Sequence, residues 1–305
     1  MTRNGPHADP MPRSQPRYSP DLPPVFIGSQ AVAEGLLSRN QLRGPGVRAV
    51  LHGVYRPAWV ELTHQLRCAA ACLVLPAAAL VTGRSAATIL GLDLARTNDD
   101  VEMAIPLTVA VPRVRGVRVR RASDQIGVGT TRNGVRLVDD VRLGFDLAAR
   151  HPLALATAHL DAAARAGLVD LHALGDWARL SHADDVVAVR AAVAEADPRA
   201  ESVPESRTRV ILRQAGFDLT VQHNIGGPRG HILRADLALV PLRIAILYDG
   251  AWHALRLQLE RDRAQLRQLR EIGWVVIHVT ADLLAAPRQL VAAVQSAVDD
   301  RLAGR

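Results

Sequence analysis

Apolar and polar positions repeat along this chain with changing periods, and each change marks a boundary. Residues 61–75 carry apolar side chains at helical spacing, and a second helical stretch opens at Thr82 and stops at Gly91. Between residues 99 and 145 the period drops to two, which predicts strands over residues 101–104, 108–111, 117–121 and 135–138. Helical spacing returns over residues 140–149, 154–166, 171–180 and 184–195. After Asp197-Pro198, residues 199–204 read as a linker. Beyond it the pattern predicts a helix over 205–215, strands over 219–224, 231–239 and 243–248, a helix over 255–271, a strand over 274–280 and a closing helix over 287–302.

The amino-terminal part is patterned differently. Residues 1–24 are rich in Pro, Arg, Ser and Asp with almost no apolar run, and read as a disordered arm. Ser29 opens a short helix, and Ser38-Arg39-Asn40-Gln41 has the form of a capping box for a second. Gly44-Pro45-Gly46 ends that helix, and residues 47–55 then form a hairpin turning at His52-Gly53. Two short helices and a β-wing over residues 25–58 follow the winged helix-turn-helix plan. On that plan Arg39, Asn40 and Arg43 face the major groove, and Arg48 and Arg56 sit on the wing.

Charge narrows the choice of partner. The 305 residues hold 37 cationic side chains, every one an arginine, against 30 carboxylates, for a net charge of +7. An isoelectric point near 10.7 and guanidinium forks that suit phosphates and guanine edges point to a polyanion. The densest basic run, from Arg113 to Arg121, alternates apolar residues with Arg113, Arg115, Arg118 and Arg120. It is either a solvated strand face or a set of phosphate contacts blind to sequence. No aromatic residue interleaves, which disfavours a stacking platform for single strands. Arg84-Ser85 at a helix start suits either an anion or a cap.

Cys68 and Cys72 lie four apart in an Ala-rich helix with no second pair to complete a zinc site, and read as buried thiols of a reducing compartment. His151, His159, His172 and His182 lack the i, i+4 partner of a metal helix and read as surface or capping groups. There is no signal peptide, and the apolar stretch over residues 68–81 is too short to span a bilayer. A cytoplasmic protein without membrane contact is expected.

The stretch from Arg234 to Thr280 concentrates the chemistry. Asp236 and Asp249 stand thirteen apart across a hairpin, a spacing that brings two carboxylates to neighbouring strand ends, where a hard divalent cation can bind. His253 follows the turn. The plain alternative is that Asp249-Gly250 is only a turn, Asp236 pairs with Arg234 or Arg243, and His253 caps the next helix.

Together with Pro204-Glu205-Ser206-Arg207, Leu212, Gly216-Phe217 and Gln222, this stretch resembles the small domain related to the very-short-patch-repair (Vsr) mismatch endonuclease, within the PD-(D/E)XK nuclease superfamily. The resemblance covers residues 201–301. It implies Glu205, Asp236 and Asp249 as acidic site residues, Asp236 and Asp249 as ligands of Mg²⁺ or Mn²⁺, and His253 as a proton-transfer or metal-proximal group. Many relatives carry a Glu two residues before the Asp-Gly, where this chain has Leu247, and without lysine nothing fills the motif's last position. The Vsr branch itself has an apolar residue at that point, and a main-chain carbonyl helps hold the metal there.

The residues Gly35-Leu36, Ser38-Arg39, Gln41-Leu42-Arg43 and Gly53-Val54-Tyr55-Arg56 resemble the winged helix of AbiEi-like abortive-infection antitoxins, and the middle region resembles the second domain of those proteins. The expected chain is a multidomain α/β protein. A winged helix-turn-helix over 25–58 precedes an α+β and then helical middle region over 59–197. A restriction-endonuclease-like mixed sheet flanked by helices follows over 198–305. The expected partner is double-stranded DNA, cut by a Mg²⁺-dependent endonuclease domain. The alternative is an AbiEi-like DNA-binding regulator, with a toxin-like protein partner and a nuclease-like domain that does not cut.

Overall fold

The computed structural model describes residues 18–19, 21–122, 126–228, 230–249 and 256–304, with the main chain alone over 256–263. It is a mixed α/β protein with three sheets. Among the described residues no helix is long and apolar enough to cross a membrane.

The first sheet has the order β1-β3-β2, from β1 (Phe26–Ile27), β2 (Val47–Leu51) and β3 (Val54–Pro57). Two short helices, α1 (Gly28–Ala33) and α2 (Arg39–Leu42), come between β1 and β2. The capping box is present: Gln41 N–H donates to Ser38 Oγ at 3.2 Å and Ser38 N–H to Gln41 Oε1 at 2.7 Å. Residues 1–17 of the expected arm lie outside the described residues, but its end is docked. Gly46 N–H donates to the Tyr18 hydroxyl at 3.0 Å, and Leu22 is buried against Phe26 and Val47.

The middle region holds a five-stranded sheet, order β6-β5-β4-β8-β7. Its strands are β4 (Leu80–Val81), β5 (Val101–Pro106), β6 (Val117–Ala122), β7 (Val128–Arg132) and β8 (Val135–Val138). Helices α3 (His64–Val74), α4 (Gly83–Ile89), α5 (Asp140–Ala148), α6 (Leu153–Arg165), α7 (Leu171–Leu180) and α8 (Val186–Glu195) accompany it. The expected strand over residues 108–111 is absent, because those residues form the loop after β5. β4 and β7 escaped the pattern: one is two residues long, and the other is exposed throughout. His159 is buried, with Nδ1 3.2 Å from Leu147 O, and is no surface group; burial lowers its pKa to about 4.

A charge network sits inside this region. Glu102 and Asp146 are 1% and 0% exposed. Arg142 grips Asp146 through two bonds of 2.8 and 3.0 Å, and Thr82 Oγ1 adds a third of 2.6 Å. Arg84 holds Glu102 by its main-chain N–H at 2.9 Å and its guanidinium at 3.2 Å. Arg120, 7% exposed, lies 3.9 Å from Glu102 and 3.7 Å from Asp146. Buried carboxylates are tolerable only when answered in this way.

The carboxy-terminal sheet runs β12-β11-β10-β9, from β9 (Thr220–Gly227), β10 (Gly230–Leu239), β11 (Ile244–Tyr248) and β12 (Val275–Val279). β9, β10 and β11 are antiparallel; β12 lies parallel to β11 after the crossover helix α10 (Arg256–Glu271). Both faces are covered. Leu237, Leu239, Ile244 and Ile246 pack with Leu212, Leu290 and Val294 from α9 (Val203–Gln214) and α12 (Pro287–Leu302). Ala235, Ala238 and Ala245 pack with Leu269 and Trp274. This two-sided burial explains why β10 and β11 read as apolar runs. A short helix, α11 (Ala281–Ala285), precedes α12.

No free linker separates this sheet from the middle region. Arg209 of α9 is fully buried, 2.5 Å from Asp161 of α6, and donates to Glu195 O at 2.7 Å. Asp161 also accepts from Asp197 N–H at 2.6 Å. The helix that carries Glu205 is thereby fixed to the helical part of the middle region.

Candidate functional site

Glu205 lies in the first turn of α9, after the N-cap Ser202. Its carboxylate accepts from Ser202 Oγ at 2.8 Å, from Glu201 N–H at 3.0 Å and from Gln222 Nε2 at 3.0 Å. Gln222, on β9, has the left-handed φ of 53°. It interrupts the ladder between the pairs Ala235↔His223 and Leu237↔Val221, opposite Asp236. A side chain held in that conformation costs about 1 kcal/mol or more relative to glycine. Its amide oxygen is buried and has no hydrogen-bond partner among the described residues.

Asp236, half-buried on β10, accepts the Tyr248 N–H at 2.8 Å. Its carboxylate thus reaches the main chain one residue before Asp249. Burial raises its pKa from 3.8 to about 6, the Tyr248 N–H opposes the rise, and the charges of Glu205 and Glu201 add to it. Arg234, paired with Glu201, offsets the rise only in part, and Arg243 donates to Ile272 O at 3.0 Å. Leu247 packs with Ala238 and Ala245, in a different cluster from Tyr248.

Asp249 is exposed, with Oδ2 3.1 Å from His278 Nδ1 and its N–H donating to Val279 O at 3.0 Å. His278 was not singled out by sequence pattern. Its one signal is a polar residue inside the apolar strand β12, where it pairs with Leu247. His253 and Gly250 lie outside the described residues. Among the described residues, no three His, Cys, Asp or Glu side chains form a group able to hold a metal ion. The oxygens that suit a hard cation here are those of Asp236 and Glu205 and the unpartnered amide oxygen of Gln222.

The arginines expected to meet DNA divide in two. Arg39, Asn40 and Arg43 are exposed on α2, and Arg113, Arg115 and Arg118 are exposed along the basic run. Arg48 is exposed but already bonds Pro45 O at 2.7 Å, and Arg118 lies 3.9 Å from Asp100. Arg56 and Arg120 are engaged within the chain. Arg56 braces the chain after β3, donating to Pro57 O, Ala58 O and Val60 O. Arg120 points into the Glu102–Asp146 network and is closed to DNA.

No family model matches the chain, and no solved structure matches it. Two uncharacterized proteins of Mycobacterium tuberculosis are similar to it, MT2308 of strain CDC 1551 and Rv2248 of strain H37Rv. Each is 28% identical over 275 residues, which span 87% of this chain and 97% of the relative. The likeness therefore runs through nearly the whole of each relative.

Proposed function

We propose that this chain is a DNA-binding protein whose carboxy-terminal domain, in a Vsr-like restriction-endonuclease arrangement, hydrolyses phosphodiester bonds with Mg²⁺ or Mn²⁺. The observation that carries the reading is the gathering of Glu205, Gln222 and Asp236, from one helix and two strands, at a spot where burial and the charges of Glu205 and Glu201 outweigh the opposing charge of Arg234. A cation held by Asp236 and Asp249 would neutralise charge on a phosphate and activate water. Glu205 orients Gln222 by the bond between them. His253 is the proposed proton-transfer group. Duplex DNA is engaged by Arg39, Asn40 and Arg43 on the second helix of a winged helix-turn-helix, by Arg48 on its wing, and by Arg113, Arg115 and Arg118.

A second reading is an AbiEi-like DNA-binding regulator with a toxin-like protein partner and a domain that does not cut. The turn of the Asp249 carboxylate toward His278 favours it. Incubation of supercoiled and mismatched duplex DNA with the full chain separates the two. Mg²⁺-dependent cleavage, lost in Asp236→Ala, is the expected outcome. DNA binding without cleavage in any divalent cation is the outcome of the second reading.

A further inference from the structure

Two cavities adjoin beside the wing. One, of about 570 Å³, lies between α1, α2 and the wing turn and is lined by Arg39, Arg43 and His52. The other, of about 810 Å³, lies between β2 and the loop at Pro112–Gly116 and is lined by His52, Arg67, Arg113 and Arg115. They share His52 and Val74 and so adjoin; the two together make a trough from the second helix, past the wing tip, to the basic run of the middle region. Neither cavity has an Asp or Glu in its lining.

Arg67 is the residue that sequence pattern did not reveal. It reaches from α3 to the trough lining, where among the described residues it makes long bonds of 3.4 Å to Thr97 O and Gly116 O. Its Nε is buried and has no partner among the described residues. Gly116, at φ +85°, lets the loop pass so close that a Cβ there would stand 2.9 Å from the Arg67 guanidinium.

We infer that this trough seats one phosphate backbone of duplex DNA, with α2 and the wing as one wall, the loop at Pro112–Gly116 as the other, and Arg67 as the floor contact. The inference rests on the DNA-binding reading and adds the path of the strand and a new contact residue. A line of guanidiniums without carboxylates matches a phosphate backbone. Among the lining residues only Tyr55 and His52 offer aromatic faces, which is too little to stack a single strand.

The test is fluorescence anisotropy of the full chain with a labelled mixed-sequence duplex over a salt series. Each phosphate contact contributes roughly 0.9 to the slope of log affinity against log salt. Arg39→Ala/Arg43→Ala and Arg113→Ala/Arg115→Ala should each lower the slope by about two, and Arg67→Ala by about one. The Arg113 and Arg115 side chains are exposed, so that pair carries the test even where Arg67→Ala fails to fold. Duplex binding with an unchanged slope in Arg113→Ala/Arg115→Ala overturns the trough and leaves the DNA-binding reading standing. Single strands bound as tightly as the duplex also overturn it. No duplex binding by the wild-type chain at low salt overturns both.

Discussion

In the middle region Glu102 and Asp146 are buried, and Arg84, Arg120 and Arg142 answer them from three different elements. At the carboxy-terminal sheet Asp236 feels the charges of Glu205 and Glu201, and Arg234, which opposes them, is turned to Glu201. Both sets are acidic and both lie where a helix meets a sheet. They differ in compensation. In the first set both carboxylates are met by arginines of the chain. The second leaves a carboxyl with a raised pKa and an amide oxygen without a donor, which is the electrostatic pattern of a site. Arginine content alone did not distinguish them; the geometry of pairing does.

The largest expected effect lies on the compensated side. Asp146→Ala strands Arg142 and Arg120 in the interior and should cost about 3–5 kcal/mol, read by chemical denaturation. Arg209→Ala, which strands Asp161, should cost a similar amount, again about 3–5 kcal/mol. A loss below about 1 kcal/mol in either would place it with exposed pairs and dissolve the contrast.

On the uncompensated side the effect depends on pH. The folded pKa of Asp236, about 6, lies above its ordinary 3.8. The folded state therefore holds the proton more tightly than the unfolded chain, and stability falls as pH rises between those values. Asp236→Asn removes this dependence and keeps an acceptor for the Tyr248 N–H. The wild type should gain stability relative to Asp236→Asn as pH is lowered from neutral toward 4. A difference that does not change with pH would show that Asp236 is compensated after all.

Much of the fold was legible. The helices Leu171–Leu180 and Pro287–Leu302 fall where the apolar repeat ends, and Ser38 caps α2 as its spacing to Gln41 requires. The strand pairing of β10 with β11 follows from the tight turn at Val240–Leu242. What was not legible depends on partners far apart in sequence. Nothing local marks Arg120 as inward, because its carboxylates come from β5 and α5. Arg209 and Asp161 are 48 residues apart, so their lock was invisible, and residues 199–204 read as a linker. At the site, Glu205, Asp236 and Asp249 were all named from sequence. The Asp249–His278 contact was not, since it arises only from the parallel pairing of β12 with β11.

Smaller effects sharpen the site. Gln222→Gly relieves the left-handed backbone and loses the bond to Glu205, so stability should change by no more than about 1 kcal/mol while divalent-cation affinity falls. His278→Ala removes an exposed pair, and its stability cost should stay under about 1 kcal/mol.

The most direct measurement is a calorimetric titration of Mn²⁺ into the full chain beside Asp236→Ala. Saturable binding with a dissociation constant on the order of a millimolar or tighter, lost in Asp236→Ala while the fold persists, is the predicted result. Equal heat in the two proteins, or none in the folded wild type at millimolar metal, would contradict it.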